Sequence, residues 1–156
     1  MLFSRTYRYN SPLGIEDIKS RLIGQHVKIH NLDFEIYEKE RMIKVIPHAE
    51  QIENIKTLPI THVEFDGKGA QTRMKISSKM RKIDKGGPLI LLWFSLLMII
   101  GGGLFYFANK DGYINYAMLL GGIGVLVFIV FWVRMEMGYF DYVRKIRDYI
   151  KKAGGA

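Results

Sequence analysis

The chain has no cysteine. That excludes disulfides, thiolate metal sites and cysteine nucleophiles, and leaves the redox compartment open. It has only four prolines, so long regular elements are permitted. The first residues, Met1 to Arg8, contain no apolar stretch of the kind that heads a cleavable signal peptide, and none is expected. Charge is missing in two places. No charged residue occurs from Gly86 to Asn109, and none from Gly112 to Val133. About 20 apolar residues suffice to cross a bilayer as a helix. Two such runs exclude a single soluble globular domain, and 13% aromatic residues argue against disorder.

The 156 residues otherwise carry a formal charge of +8. Such an excess first suggests a nucleic-acid partner. Its distribution argues against one. Residues 1–72 hold ten basic and ten acidic side chains, whereas residues 73–85 contribute +5 and residues 144–152 contribute +4. The basic excess flanks the apolar runs. No nucleic-acid partner is expected.

The fold expected is α+β: a small N-terminal antiparallel-sheet domain, then a two-helix transmembrane hairpin, then a C-terminal amphipathic helix. Phe3, Tyr7 and Tyr9 alternate with polar residues, as in a strand. Pro12 and Gly14 open a helix in which Ile15, Ile18 and Leu22 recur at helical spacing, with Glu16 and Asp17 in its first turn and Gly24 after it. Val27 and Ile29 suggest a second strand. Phe34, Ile36 and Ile43, Val45 suggest two more around Glu38–Arg41, a turn simplest to read as solvated. Ala49–Leu58 reads as a short helix. Thr61, Val63 and Phe65 alternate again, Asp66–Gly69 suggests a hairpin turn, and a last strand runs to about Met80. This order predicts helices covering one sheet face.

The domains expected are 1–85, a cytoplasmic α+β unit; 86–134, the hairpin, with spans near 88–108 and 113–133; and 135–156, a cytoplasmic helix and tail. Asn109–Gly112 is too short for anything but an antiparallel turn. Its Lys110 and Asp111 cancel, while basic residues crowd both other ends. The positive-inside rule then places both termini in the cytoplasm, at a plasma (inner) membrane. Trp93 and Trp132 fall toward the inner interface, and Tyr106, Tyr113 and Tyr116 toward the outer one. After Gly138, a plausible bend, Tyr139, Tyr142, Ile146 and Tyr149 continue a stripe from Met135. That stripe could lie among lipid headgroups or pack on the sheet. The last four residues, Ala153–Ala156, are expected to fray.

Side chains alternate faces along a strand, so Arg73, Lys75, Ser77, Lys79 and Arg81 share one face. With Lys82, Lys85, Arg144, Lys145 and Arg147 they form the candidate contacts to a membrane surface or anionic lipid. The plainer alternative is a solvated face plus ordinary topology signals. Ser95 and Gly102 lie on one face of the first span. Ala117 and Gly121 form a small-xxx-small pair in the second, with Gly124 beyond. These five are candidate packing positions, because small residues let helices approach closely.

Other chemistry is weakly marked. His26 and His30 lie about 13 Å apart along a strand, too far to share an ion. His48 with Glu50, or His62 with Glu64, would need further ligands from other strands. Glu35, Glu38, Glu40, Glu64 and Asp66 show no spacing that singles out an acid/base pair. Ser77-Ser78 lacks the context of a nucleophile. The glycine blocks 101–103 and 121–124 lack the Lys-Ser/Thr of a phosphate loop. No catalytic residue, metal or cofactor is implied. Neither span holds an ionisable residue, as transport sites usually do. The expected role is non-enzymatic: an accessory or scaffold subunit of a larger membrane complex, or a homo-oligomer. A tethered domain sensing anionic lipid or a small ligand is the alternative, and a membrane-tethered enzyme a third.

Overall fold

The computed structural model describes residues 3–30, 32–40, 42–48, 57–67, 71–82, 84–108 and 113–156. They form an α+β protein. The strands are β1 (Ser4–Ser11), β2 (His26–Ile29), β3 (Leu32–Lys39), β4 (Met42–Pro47), β5 (Pro59–Gly67) and β6 (Thr72–Met80). The helices are α1 (Ile15–Leu22), α2 (Gly86–Phe107), α3 (Tyr113–Met137) and α4 (Tyr139–Ala153). The expected helix over 49–58 and the tip of the Asp66–Gly69 turn lie largely outside the described residues.

The chain divides into two compact units, residues 1–82 with 138–156, and residues 83–137. The first is a six-stranded antiparallel sheet in the order β1-β6-β5-β4-β3-β2. β2 to β6 form a meander. α1 carries the chain from β1, at one edge, to β2, at the other.

Alternation decides which side chains meet the core. Phe34, Ile36, Ile43, Val45, Val63, Met74 and Ile76 point to one face and are buried, while their strand neighbours point away. On the inner face lie Ile18 and Leu22 of α1, and Tyr142, Ile146 and Ile150 of α4. Helix α4 packs against α1, β1, β2 and β5. The C-terminal helix is thus the centre of the sheet's core rather than a separate segment. By contacts, residues 138–156 group with residues 1–82, and the hairpin segment 83–137 lies between them in the chain.

A ladder of cations and rings closes this core along the β1 edge. The guanidinium carbon of Arg5 lies 4.5 Å from the ring centre of Phe140, and that of Arg147 5.0 Å from Tyr7. Lys151 Nζ lies 5.3 Å from Tyr9. The Tyr139 hydroxyl donates to the Phe3 carbonyl at 2.7 Å; burial pushes that phenol's pKa up. The chain end is also held. Ser11 Oγ donates to the Gly154 carbonyl, and Gly154 is buried against Met74. The expected fraying of Ala153–Ala156 fails at Gly154, which is buried and whose carbonyl is held by Ser11.

Two connections are tight. Only His30 and Asn31 separate the paired residues Ile29 and Leu32. Only Glu40 and Arg41 separate Lys39 and Met42. His30 and Glu40 accordingly take left-handed backbone conformations, φ 55° and 52°. Two-residue hairpin loops require this, and glycine or asparagine would adopt it at lower cost.

In the second unit α2 and α3 pack against each other. Ser95, Gly102, Ala117 and Gly124 are buried. A Cβ on Gly102 would lie 2.7 Å from the Gly121 nitrogen and 2.9 Å from the Ala117 carbonyl oxygen. One on Gly124 would lie 2.9 Å from the Ile99 backbone nitrogen. Ser95 Oγ donates to the Leu92 carbonyl at 2.8 Å and so satisfies itself within its own helix. Both helices are long and apolar enough to cross a membrane. Gly138, with φ −100° and ψ −92°, separates α3 from α4.

Candidate functional site

The sheet has one covered face and one open face. β-Pairing defines the open face residue by residue. Thr6 lies opposite Ser77, Ser77 opposite His62, His62 opposite Lys44 and Lys44 opposite Tyr37, a row across five strands. The next row toward the end of β6 is Ser4, Lys79 and Ile60. On the other side come Arg8, Lys75 and Glu64, and then Asn10, Arg73 and Asp66.

Of the candidate cations, Arg73, Lys75 and Lys79 therefore stand together on this face, joined by Arg8 from β1 and Lys44 from β4. Lys75 donates to Glu64 at 2.8 Å, and this bond draws the Glu64 carboxyl below its usual pKa. Thr6 Oγ1 and Ser77 Oγ lie 3.2 Å apart. His62 is held neutral more firmly than a free imidazole. Its partial burial disfavours the charged form, and Lys44 and Lys79 add repulsion.

Arg81, Lys82 and Lys85 fall between β6 and α2. The basic residues of α4 are engaged differently. Arg147 covers Tyr7 and pairs with Asp148 at 2.7 Å. Lys145 donates to Asp141 at 3.0 Å and approaches His30 Nε2 at 2.8 Å. Arg144 is half-buried. Sequence reasoning grouped these three with the strand cations by charge alone. Helical phase puts Arg147 over β1 and Lys145 beside the β2–β3 turn.

His30 forms the second polar cluster. Its Nε2 lies 2.9 Å from Asp141 Oδ2, and its ring meets Tyr142 edge-on at 5.6 Å. The bonds from His30 and Lys145 lower the Asp141 pKa. The single Nε2 atom can donate to Asp141 in one tautomer or accept from Lys145 in the other, but not both at once. A third pair joins His26 Nδ1 to Asp33 Oδ2 at 2.9 Å, with the His48 ring centre 6.3 Å from that of His26. Among the described residues, no group of three or more His, Asp or Glu side chains is arranged to hold a metal ion. The expected His48–Glu50 pair lies partly outside them. His62 and Glu64 are neighbours on β5, with Glu64 bound to Lys75.

Arg8, Lys44 and Thr6 were missed as members of the cationic face. Their own strands show alternation, but only the strand order places them beside β6. Comparison with protein-family models, with curated proteins and with solved structures finds no match.

Proposed function

We propose that this is an integral membrane protein in which α2 and α3 cross the bilayer, holding the six-stranded domain on the cytoplasmic side of a plasma (inner) membrane as an interaction module. Its partners are lipids and other membrane subunits, or further copies of itself, and its role is that of an accessory or scaffold subunit.

One observation carries this reading. Among the described residues, every exposed large hydrophobic side chain lies between Leu89 and Met137. Trp93, Leu97, Leu104, Phe107, Leu119 and Leu126 are each more than half exposed. Soluble monomers rarely expose continuous apolar surface on this scale. A bilayer removes the cost of doing so.

Chain order supports two crossings. Residues 1–82 and 138–156 fold into one unit. A segment that leaves one folded unit and returns to it must have both ends on the same side of a membrane. Two spans satisfy that, and one does not. The cations Arg81, Lys82, Lys85 and Arg134 around those ends favour the cytoplasm.

The absence of native cysteine makes the test direct. Single-cysteine variants Asp111→Cys and Lys28→Cys are labelled on intact cells with a membrane-impermeant maleimide. Residue 111 should react from outside, and residue 28 only after permeabilisation. Release of the protein by alkaline carbonate refutes the anchor, and the reverse labelling refutes the cytoplasmic placement. Recovery of only free monomer after crosslinking in native membranes refutes the scaffold role.

A further inference from the structure

The open sheet face has a chemistry of its own. Glu64 is neutralised by Lys75. Arg8, Lys44, Arg73 and Lys79 have no carboxylate within ion-pair distance among the described residues. Asp66 is the one remaining acid on the β1-β6-β5-β4 part of this face. On the β3–β2 part, Lys28 and Lys39 are matched by Asp33 and Glu35, so the excess is local. Between the cations sit the Thr6–Ser77 hydroxyl pair and the His62 imidazole. Half-exposed Ile60, Ile46, Met42 and Tyr37 alternate with them. Cations, hydroxyls and scattered apolar groups on one shallow face suit a surface of phosphates over hydrocarbon better than a single deep ligand.

We infer that this face docks on anionic lipid headgroups, with Arg8, Lys44, Arg73 and Lys79 against phosphates and Thr6, Ser77 and His62 hydrogen-bonding between them. The inference rests on the membrane-anchor reading. β6 ends at Met80 and α2 begins at Gly86. Lys79 is thus seven residues of chain, at most about 25 Å, from the first apolar helix. Headgroups within reach of so short a tether are present at high effective concentration, and a soluble acidic partner is not. Each cation brought to an anionic leaflet should strengthen docking roughly fivefold. An anion beside His62 would also offset the repulsion from Lys44 and Lys79, so docking should take up a proton and tighten as pH falls.

The test uses the full chain in nanodiscs of phosphatidylcholine alone or of an equimolar mixture with phosphatidylglycerol. Lysines are acetylated, and each site is quantified by mass spectrometry. Lys44 and Lys79 should be protected several-fold in the anionic discs, and salt should remove the protection. Lys152, exposed on α4, should react equally in both. R73E/K79E should abolish protection of Lys44 while amide exchange of the sheet stays unchanged. Equal labelling in the two lipids, or equal protection of Lys152, overturns the inference. So does protection by inorganic phosphate in neutral discs with none from phosphatidylglycerol, which would mark a site for a soluble anion. A chain that enters discs without protection sinks this inference alone. A chain that never enters them sinks the anchor as well.

Discussion

Replacing Ile146 by alanine tests whether α4 belongs to the sheet domain or to the membrane surface. Ile146 is 1% exposed and lies in the cluster with Ile18, Phe34, Tyr142 and Ile150. The substitution removes three methyl or methylene groups. At about 0.8 kcal/mol each, the lost transfer energy is about 2.4 kcal/mol. The cavity left by incomplete relaxation raises the total toward about 4 kcal/mol. The first unit has roughly 100 residues, for which 1 kcal/mol shifts the midpoint by about 4–8 °C. Ile146→Ala should therefore lower its melting temperature by more than about 10 °C. Hydrogen exchange in detergent can follow β3, β4 and β6 separately from α2 and α3. Both tryptophans, Trp93 and Trp132, lie in the hairpin, so tryptophan fluorescence reports the second unit by itself. The sheet amides should lose protection while the tryptophan transition stays in place. If α4 instead floats on headgroups, the sheet transition will not move, and the reasoning fails. A truncation after Lys85 makes the same point more severely: lacking α4, it should not give a cooperatively folded sheet.

Further expectations follow from single contacts. Gly102→Ala places a Cβ 2.7 Å from the Gly121 backbone nitrogen and should cost about 1–3 kcal/mol of hairpin stability, read as a lower tryptophan transition. Gly101→Ala, whose Cβ would meet nothing within 4 Å, is the matched control and should be nearly neutral. Glu40→Asn relieves a left-handed backbone at φ 52° and should stabilise the first unit by a few tenths to about 1 kcal/mol in a melting curve. Because the folded His62 pKa lies below its unfolded value, the unfolded chain binds more protons as pH falls below about 6.5. Stability should decline there, and His62→Gln should flatten that part of the pH profile. A double-mutant cycle of Asp141→Asn and Lys145→Met should return a coupling of about 0.3–1 kcal/mol, as expected for an exposed pair.

Much of this fold was legible in local pattern. Strand alternation around Val27, Ile36, Val45, Val63 and Ile76, and helical spacing at Ile18 and Leu22, follow from the periods of the two structures, which do not depend on distant contacts. The apolar runs over 88–108 and 113–133 were equally plain, because charge is costly in such a helix. The left-handed turns at His30 and Glu40 were not legible, since neither position holds the glycine, asparagine or aspartate that marks such a turn. They follow from pairing of the flanking strands with only two residues between. The candidate site was half legible. Arg73, Lys75 and Lys79 share a face by strand period alone, whereas Arg8, Thr6, His62 and Lys44 join them through register.

The sequence by itself determined the elements, the distribution of charge and the two apolar runs, because each depends on neighbours within a few residues. Tertiary structure decided where α4 goes. Its stripe of Tyr142, Ile146 and Ile150 would suit a bilayer surface or a sheet equally well, since both reward burial of the same apolar area. The choice was made by an inner sheet face that α1 alone does not cover. That placement draws residues 138–156 back into the unit formed by 1–82 and turns the hairpin into an insertion within one folded domain.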